Sequence, residues 1–333
     1  LPPVEKVPDY GSEREMKRVG NLYDRICSVE NLVLADKNAR KGKTQSVGVR
    51  IHDARREDNI QDLHQALVNK TFKTSPYHTF MIHDPKDREI YQLPYYPDRI
   101  VHHAVMNVLE PIWMSVFTTD TYSCIKGRGI HAVVRKLKEE LKDRQGTAYC
   151  LKLDIRKFYP TIDHDILKAI VRRKIKDPDV LWLLDSVIDS APGVPIGNYL
   201  SQYFANLYLA YFDHWIKEDR KVKYYYRYAD DIVIMGETKA ELHQLLGEIR
   251  NYLTQNLKLE LKSNYQVFPV DARGVDFVGY RFFHTHVLLR KSIKKSFARA
   301  IKRSGTSRVQ AHAAYWGWAK HCNSRNLIKK LSA

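Results

Sequence analysis

Three carboxylates stand where a folded chain ordinarily avoids them. Asp230 and Asp231 lie inside YYRYADDIVIM, residues 225–235, between an aromatic run and a β-branched run. Both flanks have strand character, and burying an unpaired carboxylate is costly unless a partner compensates it. The third acid is Asp154, in AYCLKLDIRKFYPTID at 148–163. There Leu151, Leu153 and Ile155 alternate with Cys150, Lys152 and Asp154, so one strand face is apolar and the other presents Asp154. The runs on either side of Ala229-Asp230-Asp231 read as a hairpin with the acids at its tip, which lets carboxylates from two neighbouring strands converge. Such a cluster repels itself unless hard divalent cations sit among its oxygens, Mg²⁺ being typical. Two ions held this way suit nucleotidyl transfer: one activates an attacking 3′-hydroxyl and the other steadies the leaving phosphate. An Asp-Asp pair standing alone would read as a solvated turn. Here it does not stand alone.

The elements that must position these acids follow from periodicity. Helical spacing runs through 16–36, 57–69, 97–116, 129–144, 163–175, 200–217 and 238–256, and strand character through 78–93, 148–155, 224–235, 257–268 and 275–290. The fold class is α+β, with the strands concentrated after residue 147 and no repeat, low-complexity tract or long linker. With 333 residues, 44% of them apolar, the chain can bury a large core. Lys and Arg number 55 against 38 Asp and Glu, a formal charge of +17 that points to a polyanionic partner such as nucleic acid. No apolar stretch approaches the roughly 20 residues that span a bilayer, and the polar N-terminus does not read as a signal peptide. Four scattered cysteines, Cys27, Cys124, Cys150 and Cys322, form neither CxxC pairs nor zinc spacings and read as free thiols in a reducing cytoplasm. The chain starts at Leu1, which suggests trimming of a longer sequence.

The motifs resemble those of reverse transcriptases. DIRKFYPTID is similar to their first catalytic motif and YADD to the second. Residues 23–43 resemble the N-terminal segment of bacterial, group II intron-like enzymes, residues 80–105 their fingers strand and following helix, and 121–134 the next, template-side motif. VDFVGY at 275–280 resembles the primer-grip hairpin, and AAYWGWAKHCNSRNL at 313–327 the end of the thumb. Neither a nuclease nor a DNA-binding extension follows, an expectation against a complete intron-encoded protein. Most relatives read QGxxxSP between the catalytic motifs, whereas this chain has IGNYLSQ at 196–202. Ile196 and Gln202 at those two positions resemble the reverse transcriptases of diversity-generating retroelements. That resemblance implies copying of a template-repeat RNA into cDNA, with errors at adenines, to mutagenise a variable gene region. It also implies dNTP substrates and a small basic accessory variability protein that forms a pentamer.

Roles follow from the same resemblance. Asp154, Asp230 and Asp231, with the backbone carbonyl of Ile155, would hold two Mg²⁺ ions, or Mn²⁺ in their place. Lys86 and Arg88 would hold the triphosphate of the incoming nucleotide. Tyr159 would collide with a ribose 2′-hydroxyl and so favour deoxynucleotides. Gly197 would let the backbone approach the nascent base pair, with Ile196 and Gln202 setting fidelity. A late lysine that protonates pyrophosphate corresponds to Lys262, with Tyr265 as the alternative alignment. Asp163 and Asp165 read as helix-start residues. The pairs His102/His103 and His284/His286 lack further zinc ligands. The run KSIKKSFARAIKR at 291–303 combines phosphate-seeking charge with helical spacing and is expected along a template–primer duplex.

The resulting expectation is a right-hand polymerase with a helical thumb. Its N-terminal segment and fingers occupy 1–146, its antiparallel-sheet palm 147–285 with a helical fingers return at 166–192, and its thumb 286–333. Two alternatives stay open: a group II intron-like or defence-associated bacterial reverse transcriptase, and a catalytically idle RNA-binding scaffold.

Overall fold

Two short β-prone runs, HTFMI at 78–82 and REIYQ at 88–92, pair with each other. The computed structural model describes residues 17–83, 87–302 and 306–332, and in it β1 (His78–Ile82) pairs antiparallel with β2 (Arg88–Gln92). Lys86 lies outside the described residues.

The chain forms two compact units. The first holds the described residues up to Thr118 together with Lys157–Trp215 and Thr254–Leu259; the second holds Thr119–Arg156, Ile216–Leu253 and the described residues from Glu260 onward. The first unit is mostly helical. Its expected helix at 16–36 is divided into Tyr23–Cys27 and Val29–Ala39, because Ser28 adopts an extended conformation and its hydroxyl caps the second helix at the Asn31 N–H; residue 16 lies outside the described residues. Helix Ile100–Met114 is buried along most of its length, and Trp113 packs against Tyr203 and Phe204 of helix Tyr199–Tyr208. That second helix stops at Tyr208, so the helix expected over 200–217 is broken into shorter turns. Asp163 caps helix His164–Arg172 through the Ile166 N–H at 3.1 Å, with Asp165 in the first turn.

The second unit is built on a four-stranded antiparallel sheet of order β4-β5-β3-β6: β3 (Tyr149–Asp154), β4 (Tyr224–Tyr228), β5 (Asp231–Gly236) and β6 (Gln266–Pro269). Helix Ile130–Glu140 brings Val133, Val134 and Leu137 into one buried cluster with Cys150, Tyr226, Val233 and Met235. A second sheet, β7 (Val275–Phe277), β8 (Tyr280–Phe282) and β9 (Val287–Leu289), adds Phe277, Tyr280 and Phe282 to it. The strand expected over 257–268 is corrected. Helix Lys239–Leu257 runs on to Leu257, Lys258 takes a left-handed turn at φ 51°, and regular pairing resumes only at Gln266. Between them a single bridge joins Leu261 to Ile155.

Helices Lys291–Ile301, Thr306–Ala319 and Arg325–Ser332 complete the second unit. All four cysteines are free thiols. Burial pushes His102 and His103 down to about 3 and about 4, which makes them neutral core side chains. Among the described residues no helix is long and apolar enough to cross a membrane.

Candidate active site

The ladder of the main sheet places the acids. Asp154 is the last residue of β3 and Asp231 the first of β5, and the register sets them directly opposite each other. Ala229 makes the turn from β4 in the left-handed region at φ 55°, and the Asp230 carbonyl accepts the Ile155 N–H at 3.4 Å. The bridge between Ile155 and Leu261 is closed by its neighbours, Lys262 N–H to the Asp154 carbonyl and Arg156 N–H to the Glu260 carbonyl. The Ile155 carbonyl itself is not spent on that bridge.

Two lysines meet the acids. Lys262 Nζ lies 2.7 Å from Asp154 Oδ2, and Lys152 Nζ lies 3.5 Å from Asp231 Oδ2. Lys152 also donates to the Asp276 carbonyl of β7. Tyr265, the other late-motif candidate, stands instead near the Arg250 guanidinium. The lysines leave the charge only partly balanced. Burial, then the Asp154 and Asp230 charges, push Asp231 up to about 6 against the pull of Lys152. Burial and the Asp154 charge raise Asp230, with Lys262 opposing. The Oδ1 atoms of both Asp154 and Asp231 are buried without a hydrogen-bond partner.

Facing carboxylates with orphaned oxygens suit a hard cation, whose ligands are oxygens. The register provides a pair rather than a finished cage: among the described residues no three His, Cys, Asp or Glu side chains already form a metal-ligand group. The residues fit the group, with Lys262 and Lys152 each set against the Oδ2 atom of one acid.

Sequence reasoning passed over two participants. Lys152 shares the strand face of Asp154, and the alternation was the signal for it. Arg227 is fully buried on β4, and its guanidinium donates to the Ala229 carbonyl at 3.2 Å, bracing the turn that carries the acids. In the sequence it shows only as an arginine within the aromatic run YYYRY.

The remaining candidates lie in the first unit. Arg88 opens β2 and is exposed. Three residues on, the Tyr91 N–H donates to the Ile196 carbonyl at 2.8 Å, so β2 holds the Ile196–Gly197 segment. Gly197 has φ 126°, and a Cβ there would stand 2.6 Å from the Tyr91 carbonyl oxygen. The close approach that requires glycine is therefore present within the protein itself. The Tyr159 carbonyl accepts the Val194 N–H at 2.9 Å, which ties Tyr159 to the start of the same segment. Gln202 is exposed on a helix whose neighbouring residues are buried. Tyr159 is thus tied to the segment of Ile196 and Gly197, and that segment to β2, the strand that Arg88 opens, while Asp154, Ile155, Asp230, Asp231 and Lys262 form the constellation of the second unit.

With this geometry in place, known proteins give a consistent match. Residues 83–282 fit the family described as Reverse transcriptase (RNA-dependent DNA polymerase). Protein YkfC of Escherichia coli is 26% identical, covering 87% of this chain and 86% of that one. Group II intron-encoded protein LtrA of Lactococcus lactis is 22% identical over 75% of this chain, which spans 52% of LtrA. Apo telomerase from Candida tropicalis superposes with a TM-score of 0.54 at 12% identity, covering 72% of this chain and 52% of the telomerase chain. The shared architecture is the right-hand polymerase fold.

Proposed function

The chain belongs to the reverse transcriptase (RNA-dependent DNA polymerase) family, and from that premise we propose that it copies a template-repeat RNA into cDNA, with errors at adenines, for targeted mutagenesis of a variable gene region. The observation that carries the catalytic part is the pairing of Asp154 with Asp231, each with an orphaned buried oxygen. The retroelement assignment is supported by Ile196 and Gln202. The division into fingers, palm and thumb at residues 146 and 285 goes with this reading.

Asp154, Asp230, Asp231 and the Ile155 carbonyl would hold two Mg²⁺ ions, which when bound activate the primer 3′-hydroxyl and offset charge on the leaving pyrophosphate. Lys152 and Lys262 restrain the mutual repulsion of the acids. Lys262 Nζ carries the proton for pyrophosphate. Arg88 holds the triphosphate, Tyr159 excludes the 2′-hydroxyl, and the tight turn at Gly197 keeps the Ile196 side chain beside the nascent pair. On helix Lys291–Ile301 the exposed Lys291, Lys295 and Arg299 recur every four residues, a stripe suited to a duplex backbone. The partners are template RNA, cDNA and a small basic pentameric accessory protein.

Primer extension on RNA, with and without Mg²⁺ and the accessory protein, followed by cDNA sequencing, tests this reading. The expected product is Mg²⁺-dependent cDNA with errors concentrated at template adenines. The similarity to LtrA favours one alternative, a group II intron-like enzyme, and evenly distributed errors would select it. RNA binding without synthesis under every condition would select an idle scaffold.

A further inference from the structure

The first unit contains a cationic cleft that the polymerase chemistry does not use. Its lining includes Lys17, Arg18, Lys174 and Lys176, with Ile112 and Ser115 from the end of a buried helix, in an open volume of about 520 Å³. The cleft is held by backbone pairing. Val19 and Ile175 form a parallel bridge, with Val19 N–H to the Lys174 carbonyl at 2.8 Å and Lys176 N–H to the Val19 carbonyl at 2.9 Å. Ile175 is fully buried, and alternate residues of extended chain share a face, so Arg18, Lys174 and Lys176 are directed away from the core. Gly20 leaves room for the Lys176 stem, since a Cβ would sit 3.2 Å from its Cε.

Sorting the basic run at 168–176 shows which charges are left over. Lys168 pairs with Asp189, Arg172 with Asp185, and Arg173 lies over the Tyr211 ring at 3.8 Å. Lys174 and Lys176 have no ion pair among the described residues, and the same holds for Lys17 and Arg18. The next acid, Asp177, is already committed: its oxygens accept the backbone N–H groups of Leu22, Tyr23, Asp179 and Val180. Four cations without an ion pair among the described residues repel one another, and a chain of phosphates relieves that repulsion along its length.

We propose that this cleft holds the phosphodiester backbone of RNA, as an anchoring site composed only of first-unit residues and separate from the candidate catalytic residues. Four cations exceed what a single phosphate neutralises, which favours a polyanion over a free ion. The contacts are to phosphate and so carry no base specificity.

The test measures binding of a labelled single-stranded RNA to the full chain over a range of KCl concentrations. For single strands each phosphate contact contributes roughly 0.7 to the slope of log K against log salt. Replacing all four residues by Gln is expected to reduce the slope by about 2–3 and Lys174→Gln/Lys176→Gln by about 1.4, with unchanged melting temperature and unchanged primer extension at saturating RNA. Lys174→Arg/Lys176→Arg should keep the wild-type slope. Lys221→Gln/Lys239→Gln, at two exposed positions outside the cleft, serves as the control. A cleft variant with wild-type slope, or a control with an equal loss, overturns the proposal. Inorganic phosphate that abolishes the difference between wild type and variant at constant ionic strength would mark a small-anion site and overturn it as well. A wild-type chain that binds RNA with the expected slope yet makes no cDNA counts against the catalytic reading alone, whereas a cleft variant that loses synthesis at saturating RNA overturns this proposal.

Discussion

Asp36 in the first unit and Asp231 in the second are treated in opposite ways. Asp36, in the first unit, is completely buried, yet Arg40 meets both its oxygens at 2.8 Å, Arg56 meets Oδ2 at 2.7 Å and the Tyr95 hydroxyl donates to Oδ1. Burial alone would raise its pKa; the hydrogen bonds from Tyr95, Arg40 and Arg56 outweigh that and hold it below the ordinary value. Asp231 keeps about a third of its exposure, is opposed by one lysine at 3.5 Å, and is raised to about 6. Asp36 arrives with its cations built in. An acid left short of them is available for cations from solution.

The largest effect expected from this contrast is on synthesis. Asp231→Ala removes a cation ligand and leaves the basic surfaces intact, so cDNA synthesis should fall at least about 10³-fold, some 4 kcal/mol, while RNA affinity stays within about twofold in a filter-binding assay. Activity within tenfold of wild type would place Asp231 with the structural acids.

Next is the loss of a structural acid. Asp36→Asn removes the carboxylate that Arg40 and Arg56 share, leaving Arg40 its pair with Asp53 at 2.8 Å, and should destabilise the protein by about 3 kcal/mol, read by denaturant melts. Under conditions where the variant remains folded, its synthesis rate should approach wild type.

Dependence on pH gives the contrast its sign. Asp36 has a depressed native pKa, so its contribution is complete above the unfolded value of 3.8 and is lost as pH falls through the native one. Asp231 has a raised native pKa, so its charge opposes folding above about 6, and that penalty fades as pH falls from about 6 towards 3.8. Asp231→Asn should therefore stabilise the protein near neutral pH and lose the gain under acid. Two pKa units correspond to about 3 kcal/mol, which partial exposure reduces to the order of 1 kcal/mol. Melts at pH 7, 5 and 4 of both variants decide this.

The smallest effect concerns fidelity. Ile196 cannot offer the side-chain hydrogen bonds of a glutamine, and one such bond contributes roughly 0.5–1.5 kcal/mol. Ile196→Gln should lower the error rate at template adenines by up to about tenfold while polymerisation continues. An unchanged adenine error rate in cDNA from an active variant would remove Ile196 from the account.

The acids were legible because strand alternation and a short hairpin are local patterns, and Asp154, Asp230 and Asp231 need only those to face one another. Asp163 was legible as a cap for the same reason. Ser28 was missed as a helix break because a serine within an apolar-periodic run gives no signal until its hydroxyl finds the Asn31 N–H. Strand character after Leu257 misled because alternating Leu259 and Leu261 find only one bridging partner, Ile155. The reason for Gly197 is non-local: it depends on the Tyr91 carbonyl of a distant strand. Lys152 was visible on the Asp154 face, but its contact with Asp231 emerges only when β3 and β5 pair in register.

The central claim is that the shortage of charge around Asp154 and Asp231 is a cation site. The most direct measurement is the melting temperature of wild type and Asp231→Asn as Mg²⁺ is titrated at constant ionic strength. A ligand that binds only the native state stabilises it by mass action, so wild type should rise progressively in Mg²⁺ while the variant, though more stable without the ion, rises much less. Equal shifts in the two proteins would contradict the claim.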